Sequence, residues 1–212
     1  MAAKRKLHEP GNSSKNNVGP LAKKGHWSLG LKASMDDPEL RVDRDEMVVI
    51  IKDKYPKARF HFLILPHESI PNLKALSRDH LPLLKHIEKR GVELAEKSSK
   101  ALKFRFGYHA VPSMSHVHMH VISQDFDSPC LKTKKHWNSF TTDYFLDSKD
   151  VIEQIEQSGK VAVDQSNAGQ LLKNPLVKDF CQSTLHWCSV QPHVSQLFEQ
   201  HLVSQEHFDF SV

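Results

Sequence analysis

The histidine-rich run from His116 to Ile122 (HVHMHVI) constrains this chain more than any other segment. Histidine and apolar residues alternate through it, and two apolar residues end it. Because successive side chains of a strand point to opposite faces, the alternation predicts a strand with all three imidazoles on one face. Val117, Met119 and Val121 would then pack on the other face. Imidazole is a weak strand former, so three at period two favour a functional array over a chance polar face.

Two chemistries fit such an array, a metal site and a nucleophile. Neutral imidazole is a common zinc ligand, and two histidines two residues apart on a strand suit an open catalytic site. Supporting carboxylates are few, however, because only Asp125 and Asp127 lie nearby. The other neighbours are hydroxylic or basic: Ser113, Ser115, His109, Lys132, Lys134, Lys135 and His136. Such groups suit an oxygen-rich anion better than a cation.

The nucleophilic interpretation assigns the attack on phosphorus to the central histidine, His118, with a transient phosphoramidate as intermediate. His116 and His120 on either side would orient it or hold phosphate oxygens. An imidazole with an ordinary pKa near 6.5 is mostly neutral at neutral pH, so the attack needs little activation and no metal.

Composition indicates a single globular unit with appendages. The 212 residues are 39% hydrophobic, and no apolar run approaches the roughly 20 residues that a bilayer span needs. We therefore expect no membrane partner, and the first residues lack the apolar stretch of a secretory signal. The basic clusters 4–6 and 23–24 flank a polar segment and predict a disordered tail over residues 1–25, with nuclear import or nucleic-acid contact as its candidate roles.

Periodicity predicts an α+β fold with an antiparallel sheet. The expected elements are a short helix over 29–35, strands over 47–51 and 60–65, a long helix within 72–100, and strands over 104–110 and 116–122. Pro82 suits the first turn of the long helix, with Asp79 as its expected cap.

Several motifs carry a family resemblance. The pattern of His116 to Ile122 is that of the histidine triad superfamily, and it matches at every position. Over roughly residues 26–176 the chain resembles the superfamily's DNA-adenylate hydrolases more closely. The motifs that carry this likeness are GHWS (25–28), YPKAR (55–59), GYHA (107–110), PSMS (112–115), SQDFDSPC (123–130) and KKHWNSF (134–140).

The resemblance implies a histidine triad fold over 26–150 and the removal of AMP from 5′-adenylated DNA ends left by abortive ligation. His118 would form the covalent AMP intermediate, and His109 is a candidate acid for the leaving phosphate. The expected phosphate ligands are Ser113, His116, His120 and Lys135, and the expected nucleotide or DNA contacts are Trp27, Leu31 and Met114. Trp137 is expected to be buried and structural. The implied partners are adenylated DNA and the product AMP, the implied location is the nucleus, and the chemistry needs no cofactor.

Two departures from the family limit the resemblance. The family commonly carries an amino-terminal phosphopeptide-binding domain that precedes the segment matched here, so recruitment by phosphorylated scaffolds is not implied. Residues 151–212 are expected to form a small extension resembling a degenerate Cys2His2 zinc finger. Cys188 and His201 keep the expected gap, but Cys181 and His207 lie at stretched spacings. A stretched finger that binds zinc and a broken finger both remain open.

Two other functions stay open on the sequence. One is a small-molecule nucleotide phosphoramidase or hydrolase of the wider superfamily. The other is a catalytically poor DNA-binding accessory chain. Trp27, the 134–137 segment and the C-terminal extension favour DNA as the substrate, because a small-nucleotide enzyme does not need them.

Overall fold

The computed structural model describes residues 30–176, which form an α+β fold around one antiparallel sheet, as predicted. The strands follow the order β1-β2-β3-β5-β4-β6 across the sheet. The elements are α1 (Gly30–Asp36), β1 (Arg41–Arg44), β2 (Val48–Lys52), β3 (His61–Pro66), α2 (Leu81–Ser98), β4 (Phe104–His109), β5 (Met119–Ser123), α3 (Lys134–Thr141), β6 (Phe145–Asp147), α4 (Ser148–Ser158) and α5 (Gln165–Leu171).

One face of the sheet is covered by α2 and α4 and holds the main core. Its strand residues alternate with those of the opposite face and include Val48, Ile50, Phe62, Ile64, Met119 and Val121. Gly91 lets α2 lie close to this face, because a Cβ there would come within 2.7 Å of the Met119 Cε. Burying each of these apolar side chains contributes about 1.5–3 kcal/mol, so this face supplies much of the stability of the described unit.

The opposite face carries two smaller clusters with the histidines between them. Under α1, Leu31 packs against β2 and β3 with Val49, Ile51, Leu63 and Leu65. Toward the β6 edge, Trp137 and Phe140 of α3 pack with Ile122 and Phe145. Trp137 is 3% exposed, as predicted for a structural residue, and its ring lies 5.0 Å from that of Phe126.

The strand predictions are confirmed for β2 and β3, which pair antiparallel as expected. The histidine strand is shorter than predicted, because β5 begins only at Met119. His116 has a φ of 82°, in the left-handed region, so His116 and His118 belong to the turn that enters the strand. Strand β1 was not predicted, since all four of its residues are exposed and show no alternation. Asp79 does not cap α2; His80 occupies that position, and its side chain makes no capping hydrogen bond to the helix.

The predicted domain boundary at residue 150 falls inside α4. This helix begins at Ser148 and places Val151, Ile152 and Ile155 in the main core, which also contains Val161. The unit built around the sheet therefore extends beyond residue 150. The predicted tail over 1–25 and most of the predicted C-terminal extension lie outside the described residues. Among residues 30–176 no helix combines the length and the apolar character needed to cross a bilayer.

Candidate active site

Two buried imidazoles from neighbouring strands form the centre of the site. His120 of β5 and His61 of β3 are each 4% exposed, and the His61 Nε2 lies 2.9 Å from the His120 Nδ1. They meet because Leu63 pairs with His120 in the sheet register, while His61 pairs with Ile122 on the same face. The Phe140 ring stands nearly perpendicular to both imidazoles, with a centroid distance of 5.3 Å to each.

The hydrogen bonds determine which nitrogen carries the proton in this pair. The Lys57 backbone N–H donates to the His61 Nδ1 at 3.1 Å. Neutral His61 must therefore hold its own proton on Nε2 and donate it to the His120 Nδ1. His120 in turn must be protonated on Nε2, an atom without a hydrogen-bond partner among residues 30–176. The site thus contains one oriented, unused N–H donor.

The tautomer of His118 is set by a different group, a carbonyl. The His118 Nδ1 donates to the His116 backbone oxygen at 2.8 Å, so the Nε2 lone pair is left without a proton. His116 is itself fixed by its Nε2, which donates to the Pro66 oxygen at 2.8 Å. The positive φ of His116 costs about 1–3 kcal/mol, a strain typical of functional turns. The neutral His118 imidazole therefore has a free lone pair on Nε2, which is the form that nucleophilic attack requires.

The fourth imidazole of the cluster belongs to His109 at the end of β4. Its ring centroid lies 4.3 Å from that of His120 and 4.8 Å from the Phe140 ring. Burial and the neighbouring histidines lower the pKa of His109 to about 3, so the ring is neutral in the free protein. A role as an acid therefore requires that a bound anionic substrate first raise the pKa of His109.

Burial keeps the whole cluster uncharged. It lowers the pKa of His61 to about 4 and depresses the pKa of His118. The pKa of His120 falls well below its ordinary value because burial is joined by repulsion from His109, His118 and His61. Neutral imidazoles suit nucleophilic attack, which needs a free lone pair.

Asp53, His61 and His120 are close enough together to hold a metal ion, the alternative left open by the sequence. The Asp53 Oδ2 lies 3.6 Å from the His61 Nε2. A neutral imidazole that binds a metal through Nε2 must carry its proton on Nδ1. In His61 that position already accepts the Lys57 N–H, so the two hydrogens would collide. The donor geometry favours a chain of hydrogen bonds over a metal site.

Sequence reasoning missed Asp53, Lys57 and His61. His61 lies more than fifty residues before the histidine run, and only the fold brings the two together. The available signal was an imidazole at the first position of an otherwise apolar strand. Lys57 is half-buried, and burial lowers the pKa of its amine.

The other predicted site residues differ in their exposure and in the elements that they pack against. Ser113 is exposed in the loop before the histidines, and Met114 packs partly buried against the cluster under α1. Leu31 is 3% exposed, so packing of α1 on the sheet occupies most of its surface. Lys135 is an exposed residue of α3, the helix whose Phe140 contacts the histidines. Trp27, Cys181, Cys188, His201 and His207 lie outside the described residues.

Comparison with known proteins agrees with this architecture. Residues 27–136 match the family described as "Scavenger mRNA decapping enzyme C-term binding". The chain is 62% identical to aprataxin from Danio rerio over an alignment of 159 residues. This alignment covers 74% of this chain and 49% of that protein. It is 53% identical over 179 residues to aprataxin from Gallus gallus, covering 84% of this chain and 55% of that protein. The chain therefore spans about half the length of these curated relatives.

The solved structures share the fold. A crystal structure of the aprataxin ortholog Hnt3 in complex with DNA aligns with a TM-score of 0.60 at 20% sequence identity. The alignment covers 84% of this chain and 100% of that chain. This likeness supports the fold described above, an antiparallel sheet with helices packed on it.

Proposed function

The chain belongs to the aprataxin family of histidine triad proteins, and we propose that it removes AMP from 5′-adenylated DNA ends. Two findings support the proposal. The relatives that match at 62% and 53% identity are aprataxins, and a fold neighbour was solved in complex with DNA. The observation that carries the chemistry is the unprotonated Nε2 of His118, fixed by the hydrogen bond from its Nδ1 to the His116 carbonyl.

The first half-reaction transfers AMP to the protein. The His118 Nε2 lone pair attacks the phosphorus of the adenylate, a P–N bond forms, and the P–O bond to the DNA 5′-phosphate breaks. The 5′-phosphorylated DNA leaves with the bonding electron pair. His109 can protonate this leaving phosphate only if the bound substrate raises its pKa from about 3.

The second half-reaction releases AMP. A water oxygen attacks the same phosphorus, the P–N bond breaks, and the proton lost by water returns to the solvent by way of His118. The N–H on the His120 Nε2 is the donor available for charge on the phosphate, since no described residue accepts it in the free protein. Ser113 and Lys135 remain the predicted additional phosphate ligands, because one offers a hydroxyl and the other a cation.

The decisive experiment incubates the full chain with 5′-adenylated nicked DNA and measures AMP release. We expect His118→Ala to lower the rate by at least about 10³-fold, because no other described group replaces the P–N intermediate. His67→Ala is the matched control, since His67 is an exposed histidine at the end of β3 whose ring bonds to the Asp45 carbonyl. Thermal unfolding of both variants checks the fold.

Three outcomes would overturn the proposal. Equal AMP release by wild type and His118→Ala would remove His118 from the reaction. Turnover of an AMP amidate without turnover of adenylated DNA would assign the chain to the small-nucleotide enzymes instead. DNA binding without any turnover would assign it to the accessory proteins.

Two parts of the proposal concern the protein outside residues 30–176. Zinc binding by Cys181, Cys188, His201 and His207 stays a prediction from their spacing, as does a broken finger. Nuclear localisation stays a prediction from the basic clusters of the first 25 residues.

A further inference from the structure

A cleft on one side of the catalytic loop has no role in the chemistry described so far. It lies between residues 71–74, the loop 110–115, and Val163 and Gln165, and its volume is about 320 Å³. We call it the loop cleft. Its volume reaches the lower end of the range of small-ligand sites, which is the scale of a single nucleotide unit.

The loop cleft adjoins the reacting groups. A small cavity of about 10 Å³, close to the size of one water molecule, is lined by His109 and His118. Asn72, Leu73 and Pro112 line both this cavity and the loop cleft. Ser113, a predicted phosphate ligand, also lines the cleft. The loop cleft therefore lies next to the imidazoles of His109 and His118.

The lining combines a cation with apolar surface. Lys74 is exposed at the cleft and has no ion-pair partner within residues 30–176. Its backbone is held in a short turn, because the Lys74 N–H donates to the Asn72 Oδ1 at 3.0 Å. Val111, Pro112 and Met114 supply apolar walls. A positive group beside an apolar wall suits a nucleotide, which has an anionic phosphate next to a largely apolar base and sugar.

Charge also distinguishes the loop cleft from the other side of the histidines. There the Asp53 carboxylate lies 3.6 Å from the His61 imidazole, and a carboxylate repels phosphate groups. Asp164 follows Val163 in the chain but does not line the cleft, and its Oδ1 accepts the N–H groups of Ser166 and Asn167 at the start of α5. Among the described residues that line the loop cleft, Lys74 is the one with a charged side chain.

We propose that the loop cleft binds the leaving DNA strand and that Lys74 contacts the first phosphodiester beyond the 5′-terminal nucleotide. This proposal rests on the proposed function and names a residue that selects DNA over small adenylates. It makes Lys74 a binding residue, remote from the reacting phosphorus.

The test compares two adenylated substrates, one without and one with the phosphodiester that Lys74 would contact. One is a single adenylated nucleotide without a phosphodiester, and the other is an adenylated single-stranded oligonucleotide. We expect Lys74→Ala to raise KM for the oligonucleotide by about 3- to 10-fold, with kcat little changed, and Lys74→Glu to raise it further. KM for the single nucleotide should change by less than about 2-fold. Lys89→Ala, an exposed lysine of α2 away from the cleft, is the matched control.

Salt dependence gives an independent readout. Loss of one phosphate contact should reduce the slope of log affinity against log salt by about 0.7 for single-stranded DNA. A Lys74→Ala effect equal on both substrates, or an unchanged salt slope, would overturn the proposal.

Failure of the proposed function looks different from failure of this proposal. If the wild type releases no AMP from either adenylated substrate, the proposed function fails. The loop cleft is then still tested by fluorescence anisotropy with a 5′-phosphorylated oligonucleotide. Weaker binding by Lys74→Ala than by Lys89→Ala would support the cleft, and equal binding would reject it.

Discussion

Two backbone groups set the protonation of three imidazoles in the site. The Lys57 N–H faces the His61 Nδ1, and the His116 carbonyl faces the His118 Nδ1. The first makes His61 a donor to His120, and the second leaves His118 with a free lone pair. Backbone groups do not titrate near neutral pH, so these tautomers persist as long as the local fold does.

The role of His61 as the residue that orients the His120 proton leads to a prediction about its side chain. In His61→Leu the His120 Nδ1 loses its donor and can carry the proton itself, so the Nε2–H is no longer enforced. We expect kcat for adenylated DNA to fall by about 10- to 100-fold with KM little changed. His61→Gln keeps an N–H near the position of the imidazole Nε2 and should recover part of that loss.

The comparison between the two variants separates positioning from structure. Leucine suits a buried strand, and thermal unfolding checks that both variants remain folded. If glutamine were no better than leucine, or if the loss appeared in KM alone, His61 would act only through packing.

At the scale of the elements, the apolar pattern of the sequence was sufficient to predict the buried strands. It did not predict the exposed strand, which has no such pattern. The run Val48 to Ile51 is buried on both faces of the sheet, and its continuous β-branched sequence predicts a buried strand. Strand β1 is exposed throughout, so its sequence carries no such signal. The alternation of histidine and apolar residues predicts a strand that starts at His116. The left-handed backbone of His116 delays the start of the strand, and the pattern of residue types carries no sign of it.

The pairing of β4 with β6 depends on a glycine beside the site. Gly107 pairs with His120 on one side and with Asp147 on the other. A Cβ at Gly107 would come within 2.2 Å of the Leu146 backbone oxygen and 2.6 Å of the Phe145 ring. We expect Gly107→Ala to lower the free energy of unfolding by about 2 kcal/mol or more, because the strand backbone must move.

Gly169→Ala is the control for this substitution. It lies in helix α5 with no atom within 4 Å of a new Cβ, so alanine should leave stability unchanged or raise it by up to about 1 kcal/mol. Urea unfolding of both variants measures the difference. Similar free energies of unfolding for the two variants would mean that β6 can move away from a new Cβ at Gly107 without loss of stability.

At the scale of the whole molecule, the sheet separates stability from chemistry. One face is covered by α2 and α4 and is lined by apolar side chains, while the opposite face holds the four histidines of the candidate site between two smaller clusters. The histidine triad motif was sufficient to predict the fold class, whereas the assignment of His118 as the nucleophile stays a prediction. Asp53 and His61 could not be placed from the sequence, because their contact with His120 depends on strand order across the sheet.

Burying neutral histidines makes the stability of the whole molecule depend on pH. The pKa of folded His61 is about 4, against an ordinary 6.5 in the unfolded chain. As pH falls below 6.5 the unfolded chain binds protons first, so the free energy of unfolding decreases until pH reaches the folded pKa. At pH 5 this costs about 2 kcal/mol for His61 alone, and the lowered pKa values of His118 and His120 act in the same direction.

Urea unfolding between pH 8 and pH 5 measures this effect. We expect stability to be nearly constant above about pH 7 and to fall steadily toward pH 5. The paired carboxylate of Asp45, whose pKa is about 2, adds its own loss only below about pH 4, so it does not account for the decline. His61→Leu removes one titrating group and should show a shallower decline. A flat or rising profile toward pH 5 would mean that the imidazoles are protonated in the folded protein, and the neutral nucleophile at His118 would have to be abandoned.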